Sequence, residues 1–487
     1  MTTFQYDHLI KGALVVRPGQ PAPEQLDIAI RDGRFVALES EIDATLAKNV
    51  TDARGLLAFP GLVDAHMHTG IYAPLDKDAR NESRAAAMGG VTSSLNYIRT
   101  GQYYLNKGGP YADFMPEVLS LSEGNYHVDY AYHVAPMSAS HIDEMPLLLE
   151  RFGVSSFKIF MFYGSHGLHG CSHKQHEFLM IGQDERYDIA HFEAVMRGLK
   201  NLSDARPDKR NALSLSLHCE TAEIMTAYTK MVMNEGKLSG LPAYSASRPP
   251  HSEGLAIFIA SYLANETDCV NINLLHLTSR KAVDAALKMS VVFPNINFRR
   301  EVTIGHLLLD TESPNGIYAK VNPPIRPRED VEYLWEAVKN GHIDWICSDH
   351  ACCSEELKTD KQNPNDVFMA KSGFGGTEYL LCGLLTEGRK RGLSLNRMAE
   401  LVCSAPAERY GLSTKGNIKL GFDADVVLVD PNKTWTIDPK DSPSAQGYSP
   451  FTGMELTAQV KQTFLRGELI YKDGSVIGSP GGCYLKR

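Results

Sequence analysis

The stretch "FPGLVDAHMHTG", residues 59–70, ends an apolar run in two histidines one residue apart. If the run is a strand, alternation puts Leu62, Asp64, His66 and His68 on one face and Val63, Ala65 and Met67 on the other. Two neutral imidazoles at i and i+2 can grip a single cation. The same pair could instead be satisfied by backbone or water at a strand end. Other residues with chemical potential recur at comparable places. Lys158 sits inside the apolar "SSFKIFMFY", His218 in "LHCE", His276 in "LLHLTS", and Asp349 and His350 in "CSDH".

The elements that must position these groups form a regular series. Eight apolar, β-branched segments, "GLVDAHMH", "VTSSLNY", "VDYAYHVA", "SSFKIFMFY", "LSLSLHCE", "VNINLLHLTS", "INFRREVT" and "HIDWICSDH", alternate with helical patterns between about residues 60 and 412. That order predicts an α/β fold, a (β/α)8 TIM barrel, whose active groups stand at the C-terminal strand ends. His66, His68, His218, His276, Asp349 and His350 all fall at such ends. No G-x-G-x-x-G follows the first strand, which argues against a doubly wound sheet. Lys158, amid Phe157, Ile159, Phe160 and Met161, would be costly to bury as an ammonium, so its pKa should fall toward the neutral amine. A neutral amine can add carbon dioxide to form a carbamate, an anionic two-oxygen bridge for two cations. A lysine reaching out from a strand edge is the plainer alternative.

Short alternating segments with tight turns ("RDGR", "RGE", "KDG") mark both ends of the chain. They predict a small β-sandwich domain built from residues 1–57 and 413–487, around a barrel domain of residues 58–412. At 487 residues, 43% hydrophobic and 22% charged, the composition is that of a globular protein. A net charge of −9 argues against nucleic acid or an anionic membrane as partner. No apolar run approaches the roughly 20 residues that span a bilayer. The first residues lack a secretory pattern, and nine scattered cysteines without a C-x-x-C pair fit reduced thiols, so a cytoplasmic location is expected.

In order and spacing, "DIAIRDGRFVAL", "FPGLVDAHMH", "RAAAMGGVTS", "SSFKIFMFY", "LHCE", "SRPPHSEGLAI", "LLHLTS", "NPPIRPRED", "CSDH", "SAPAERYGL", "KGNIKLGFDADVVLVDP" and "RGELIY" resemble a known family nearly end to end. The chain resembles the cyclic amidohydrolases: hydantoinase/dihydropyrimidinase, allantoinase and dihydroorotase. The resemblance implies two divalent ions, zinc with manganese or cobalt also compatible, and a hydroxide bridging them. His66, His68, Lys158 and Asp349 would hold one ion, and Lys158, His218 and His276 the other, with Lys158 carboxylated by carbon dioxide and bridging both. Asp349 would move the proton, Tyr163 would contact the substrate carbonyl, and Asn322 would offer backbone to the amide edge. Ser372 stands where the family pattern has an asparagine. The resemblance also implies a small-molecule cyclic amide substrate and a homo-oligomer, dimer or tetramer.

Departures bear on substrate. Thr69 and Gly70 follow the histidine pair where dihydroorotases commonly carry an arginine, and Tyr163 tilts away from allantoinase. "SGFGG" replaces the usual Asn-Gly-Gly-Pro-Gly loop, and His218 follows Lys158 by 60 positions, a longer connection than the family pattern. The added segment, about residues 164–188, is expected to cover the site. Its His166, His169, His173 and His176 read as a polar lid in preference to another metal site. Phe162, Phe178, Tyr187 and Phe374 are expected to wall the substituent pocket. The expected activity is opening of 5-substituted hydantoins or dihydropyrimidines. A non-catalytic scaffold with the same barrel is the contrasting class, disfavoured because all six ligand positions are filled.

Overall fold

The computed structural model describes residues 4–164, 166–167, 170–171 and 175–487. The chain begins with β1 (Tyr6–Val15), β2 (Glu24–Arg31), β3 (Arg34–Glu39), β4 (Ala47–Asp52) and β5 (Leu57–Pro60). Eight strands follow: β6 (Leu62–Met67), β7 (Val91–Ile98), β8 (Asp129–Val134), β9 (Ser156–Phe160), β10 (Ser214–His218), β11 (Asn271–Leu274), β12 (Asn297–Thr303) and β13 (Trp345–Cys347). The chain closes with β14 (Val426–Asp430), β15 (Gln459–Leu465), β16 (Glu468–Lys472) and β17 (Ser475–Val476).

Strands β6 to β13 pair in sequence order, all parallel. A bridge between Met67 and His350, with His68 N donating to His350 O at 2.8 Å, brings the last strand's end back to the first. This is the expected (β/α)8 barrel; seven of the eight expected segments contain their strand, and β7 runs one residue past "VTSSLNY" to Ile98. The runs are continuously apolar because helices cover the outer face while side chains fill the inner one. Val63, Ala65, Leu95, Ala131, Trp345 and Tyr410 make one such inner cluster.

Strict alternation along β6 does not hold. Its pairing with β7 shifts register between Asp64 and Met67, as a bulge does. Asp64 therefore does not share the histidines' surroundings. Its carboxylate accepts from Ser348 N at 3.0 Å and Thr377 Oγ1 at 2.8 Å, while His66 turns to Glu301 and Lys158.

The strands of both termini join in one nine-stranded sheet, where β5 bridges β1 and β14. Ile10, Ile28, Ile30, Phe35, Val426, Leu428 and Phe464 form its separate apolar core. A buried charge knot ties this sheet to the barrel. Lys415 Nζ contacts Asp129 at 2.6 Å, Asp425 at 2.8 Å and Asp423 at 3.0 Å, and Arg466 also pairs with Asp129, the first residue of β8.

Candidate active site

The ends of β6 and β13 build the first group of donors. His66 Nε2 and His68 Nε2 lie 3.2 Å apart, and Asp349 Oδ1 lies 3.1 Å from the one and 3.2 Å from the other. The two imidazoles are oriented from behind. His66 Nδ1 meets Glu301 Oε1 at 2.8 Å, and His68 Nδ1 meets the Tyr104 hydroxyl at 2.6 Å. With Nδ1–H donating to these oxygens, two lone pairs and a carboxylate face one another with no proton between them. Ligands about 2.0–2.1 Å from a tetrahedral centre stand about 3.3 Å from each other, close to this triangle's sides. The donor set fits a divalent cation.

Lys158 Nζ stands 3.0 Å from His66 Nε2, at the middle of β9 and wholly buried. Its other neighbours are aromatic faces, Tyr97 at 3.9 Å and Phe160 at 4.3 Å from the ring centroids. Its enclosure rules out a snorkelling side chain, and burial pulls its pKa down to about 7, toward the neutral amine.

A second group lies across the lysine. The rings of His218 and His276 are 4.4 Å apart. His218 Nε2 meets Glu220 at 2.6 Å, which leaves Nδ1 for another partner, and His276 Nδ1 is buried without any hydrogen-bond partner. Among the described residues that nitrogen is unsatisfied, and a bound ion is one partner that would satisfy it. Burial lowers the pKa of all four histidines, so they stand as neutral imidazoles, the form a metal ligand needs. The pKa of Asp349 is lowered: burial opposes this, but its contacts with His66, His68 and Lys158 outweigh it. His276 and Asp349 both have positive φ, 34° and 53°. Non-glycine residues rarely hold this conformation, and such strain gathers at functional sites.

One pocket brings together His68, Lys158, His218, His276 and Asp349 with Tyr163, Asn322 and Ser372. His66 is enclosed behind it. Ser372 Oγ is buried without a hydrogen-bond partner, while its carbonyl accepts from the Tyr72 hydroxyl at 2.6 Å. Asn322 Oδ1 accepts from the Tyr244 hydroxyl. The "SGFGG" segment is an irregular loop, pinned by Gly373 N donating to Lys320 O at 2.9 Å and Phe374 O accepting from Ala351 N at 3.1 Å. Gly375 packs so closely that a Cβ there would fall 2.7 Å from His350 Cε1.

The expected aromatic wall differs in part. Phe162 lines the pocket, with Phe160 and Tyr104 in place of the others. The Tyr187 hydroxyl is spent on Phe160 N at 2.9 Å, and Phe374 packs edge-on against Phe451 at 5.8 Å. Phe178 stands behind Tyr163, ring centroids 5.3 Å apart. Of the insertion's histidines, His169 and His173 lie outside the described residues. His176 is part of the short helix Gln175–Leu179 and half-buried.

Sequence reasoning missed Glu301, Glu220, Tyr104 and Arg99. Glu301 had one available signal, a lone acid in the apolar end of "FRREVT", and Glu220 lay within the quoted "LHCE". The loop residue Tyr104 had none.

A parallel eight-stranded barrel with histidines, a carboxylate and a buried lysine at its C-terminal rim belongs to the barrel hydrolases. Residues 209–470 match the Amidohydrolase family, and the chain belongs to that family. It is 30% identical to an allantoinase of Rubrobacter xylanophilus, over 99% of this chain and 98% of that one. It is 29% identical to a D-hydantoinase of Geobacillus stearothermophilus, over 95% and 93% of the two chains. The solved dihydropyrimidinase of Brevibacillus agri superposes with a TM-score of 0.84 at 26% identity, over 99% and 98%.

Proposed function

We propose that this enzyme opens a cyclic ureide by hydrolysing a ring amide C–N bond. The triangle of His66 Nε2, His68 Nε2 and Asp349 Oδ1 beside Lys158 carries the reading. His66, His68 and Asp349 would hold one divalent ion, zinc before manganese or cobalt, and His218 and His276 would hold a second. The Lys158 amine would add to carbon dioxide, forming an N–C bond and releasing an N–H proton, and the carbamate would offer oxygens to both donor groups. Divalent ions held there supply a water acidic enough to attack near neutral pH and polarise the scissile carbonyl.

The chain's own groups do the rest. Asp349 accepts the attacking water's proton and returns it to the leaving ring nitrogen, which a poor leaving group requires. The Tyr163 hydroxyl donates to the carbonyl oxygen as it gains charge. Backbone at Asn322 and Ser372 takes the ring's amide edge, with Ser372 Oγ available as a further partner. The aromatic walls Phe160, Phe162 and Tyr104, in a lining that holds no arginine among the described residues, suit a planar or apolar substituent better than a carboxylate. The substrate class is therefore 5-substituted hydantoins or dihydropyrimidines. Likeness to allantoinases at 30% identity favours allantoin as a second reading.

A panel of hydantoins, dihydropyrimidines, allantoin and dihydroorotate, offered to the metal-loaded protein, tests this. Ring opening of the first two classes supports the proposal. Preference for allantoin moves the assignment to the second reading, and turnover of none rejects both.

The same reading divides the chain near residues 57/58 and 412/413 into the barrel and a domain from both termini, although β5 continues the terminal sheet to Pro60. It also makes the protein a cytoplasmic homo-oligomer, dimer or tetramer. The helix α1 (Pro250–Glu266) supports self-association, since it exposes Leu255, Phe258 and Tyr262 on its outer face. Among the described residues no helix is long and apolar enough to cross a membrane.

A further inference from the structure

Arg99, just past the end of β7, is a buried cation without an acid. Its residue is 1% exposed, and among the described residues no carboxylate pairs with it. Nη1 donates to the carbonyls of Thr100 at 2.9 Å and Gln102 at 3.0 Å, and the guanidinium also hydrogen-bonds the Tyr163 side chain. Three rings enclose the guanidinium, with centroids at 4.8 Å for Phe178, 5.1 Å for Tyr163 and 5.5 Å for Tyr104. Burying such a group is costly unless charge of opposite sign is held or develops nearby.

The two tyrosines stand differently toward the pocket. Tyr104 is committed to His68 Nδ1 at 2.6 Å. Tyr163 lines the pocket, its ring stacked on Phe160 at 4.8 Å and braced by Phe178 at 5.3 Å. At the Tyr163 phenol, negative charge develops as the carbonyl is attacked. A cation fixed beside the phenol then stabilises the transition state more than the bound substrate, with no reorganisation during the reaction.

We propose that Arg99 is a positioning residue for Tyr163, holding its phenol toward the scissile carbonyl and strengthening it as a donor to the developing oxyanion. The proposal rests on the reading of Tyr163 as that donor. Burial raises the phenol's pKa and Arg99 draws it back, consistent with the cation acting on this ring. The loop beyond is shaped to leave the guanidinium room, since a Cβ on Gly101 would fall 2.8 Å from Arg99 Nη1.

A double-mutant cycle tests it on the metal-loaded enzyme with a substrate that the wild type opens. Arg99→Met should lower kcat on the order of 10-fold or more with KM nearly unchanged, the split of an interaction made in the transition state. In a Tyr163→Phe background the same change should have little further effect. Arg99→Lys, which keeps the charge, should recover part of kcat and carries the same cycle if Arg99→Met does not fold. Effects that multiply independently, or that vanish instead in a Tyr104→Phe background, overturn the proposal. A wild type inactive on every cyclic amide would reject the functional reading itself, whereas an active wild type with an additive cycle rejects only this role of Arg99.

Discussion

Glu301 accepts a hydrogen bond from His66 Nδ1 at 2.8 Å, and this contact decides which nitrogen of His66 faces His68 and Asp349. The carboxylate is held in turn by Trp345 Nε1 at 2.7 Å and His276 N at 3.2 Å. It thus links a residue from each of the two donor groups. Replacing Glu301 by Gln keeps the shape and removes the charge that fixes the tautomer. Outer partners of this kind are worth about 10- to 100-fold in metal affinity. Competition against a chelator should show a loss of that size, and unchanged affinity would remove Glu301 from the site.

Asp349 carries the proton transfer in this account. Asp349→Asn keeps the side chain's size but cannot accept a proton, so kcat should fall by about 10² to 10⁴. The pH dependence of kcat/KM should change as well. A variant with the wild-type profile would show that another group moves the proton.

Most of the fold was legible because strands buried on both faces leave continuous apolar runs between helical patterns. Placing chemistry at strand ends then brought His66, His68, His218, His276 and Asp349 together before any coordinates. What stayed hidden depends on contacts that no local pattern encodes. The bulge that parts Asp64 from His66 arises from pairing between β6 and β7. Tyr104 reaches His68 from a loop in which Tyr103, Tyr104 and Asn106 all have positive φ. Glu301 read as one more polar strand residue, because alternation cannot tell a buried acid from an exposed one. Tyr187 and Phe374 were placed at the pocket by composition alone, and tertiary packing spends both elsewhere.

The knot around Lys415 gives a stability prediction. Burial alone would lower the lysine's pKa, but Asp425, Asp129 and Asp423 raise it above the usual value. A raised pKa means the contribution is complete below the unfolded lysine's value near ~10.4 and is lost only as pH climbs through the folded one. Lys415→Met strands buried carboxylates and should cost about 3–5 kcal/mol at neutral pH. The deficit in denaturant unfolding should narrow toward about pH 4, as protonation removes the stranded charge. A deficit independent of pH would point to lost packing instead.

Lys158 is where the metal account is most exposed. Lys158→Ala should lose most bound metal and nearly all turnover, and short carboxylic acids should restore part of both by standing in for the carbamate oxygens. An alanine variant with normal metal content would refute the bridging role.

The most direct measurement is metal content. Wild-type protein reconstituted with divalent zinc and bicarbonate, then freed of excess ion, should retain two equivalents per chain by elemental analysis, and Lys158→Ala should retain far less. Fewer than one equivalent in the wild type would contradict the account at its centre, whatever the substrate.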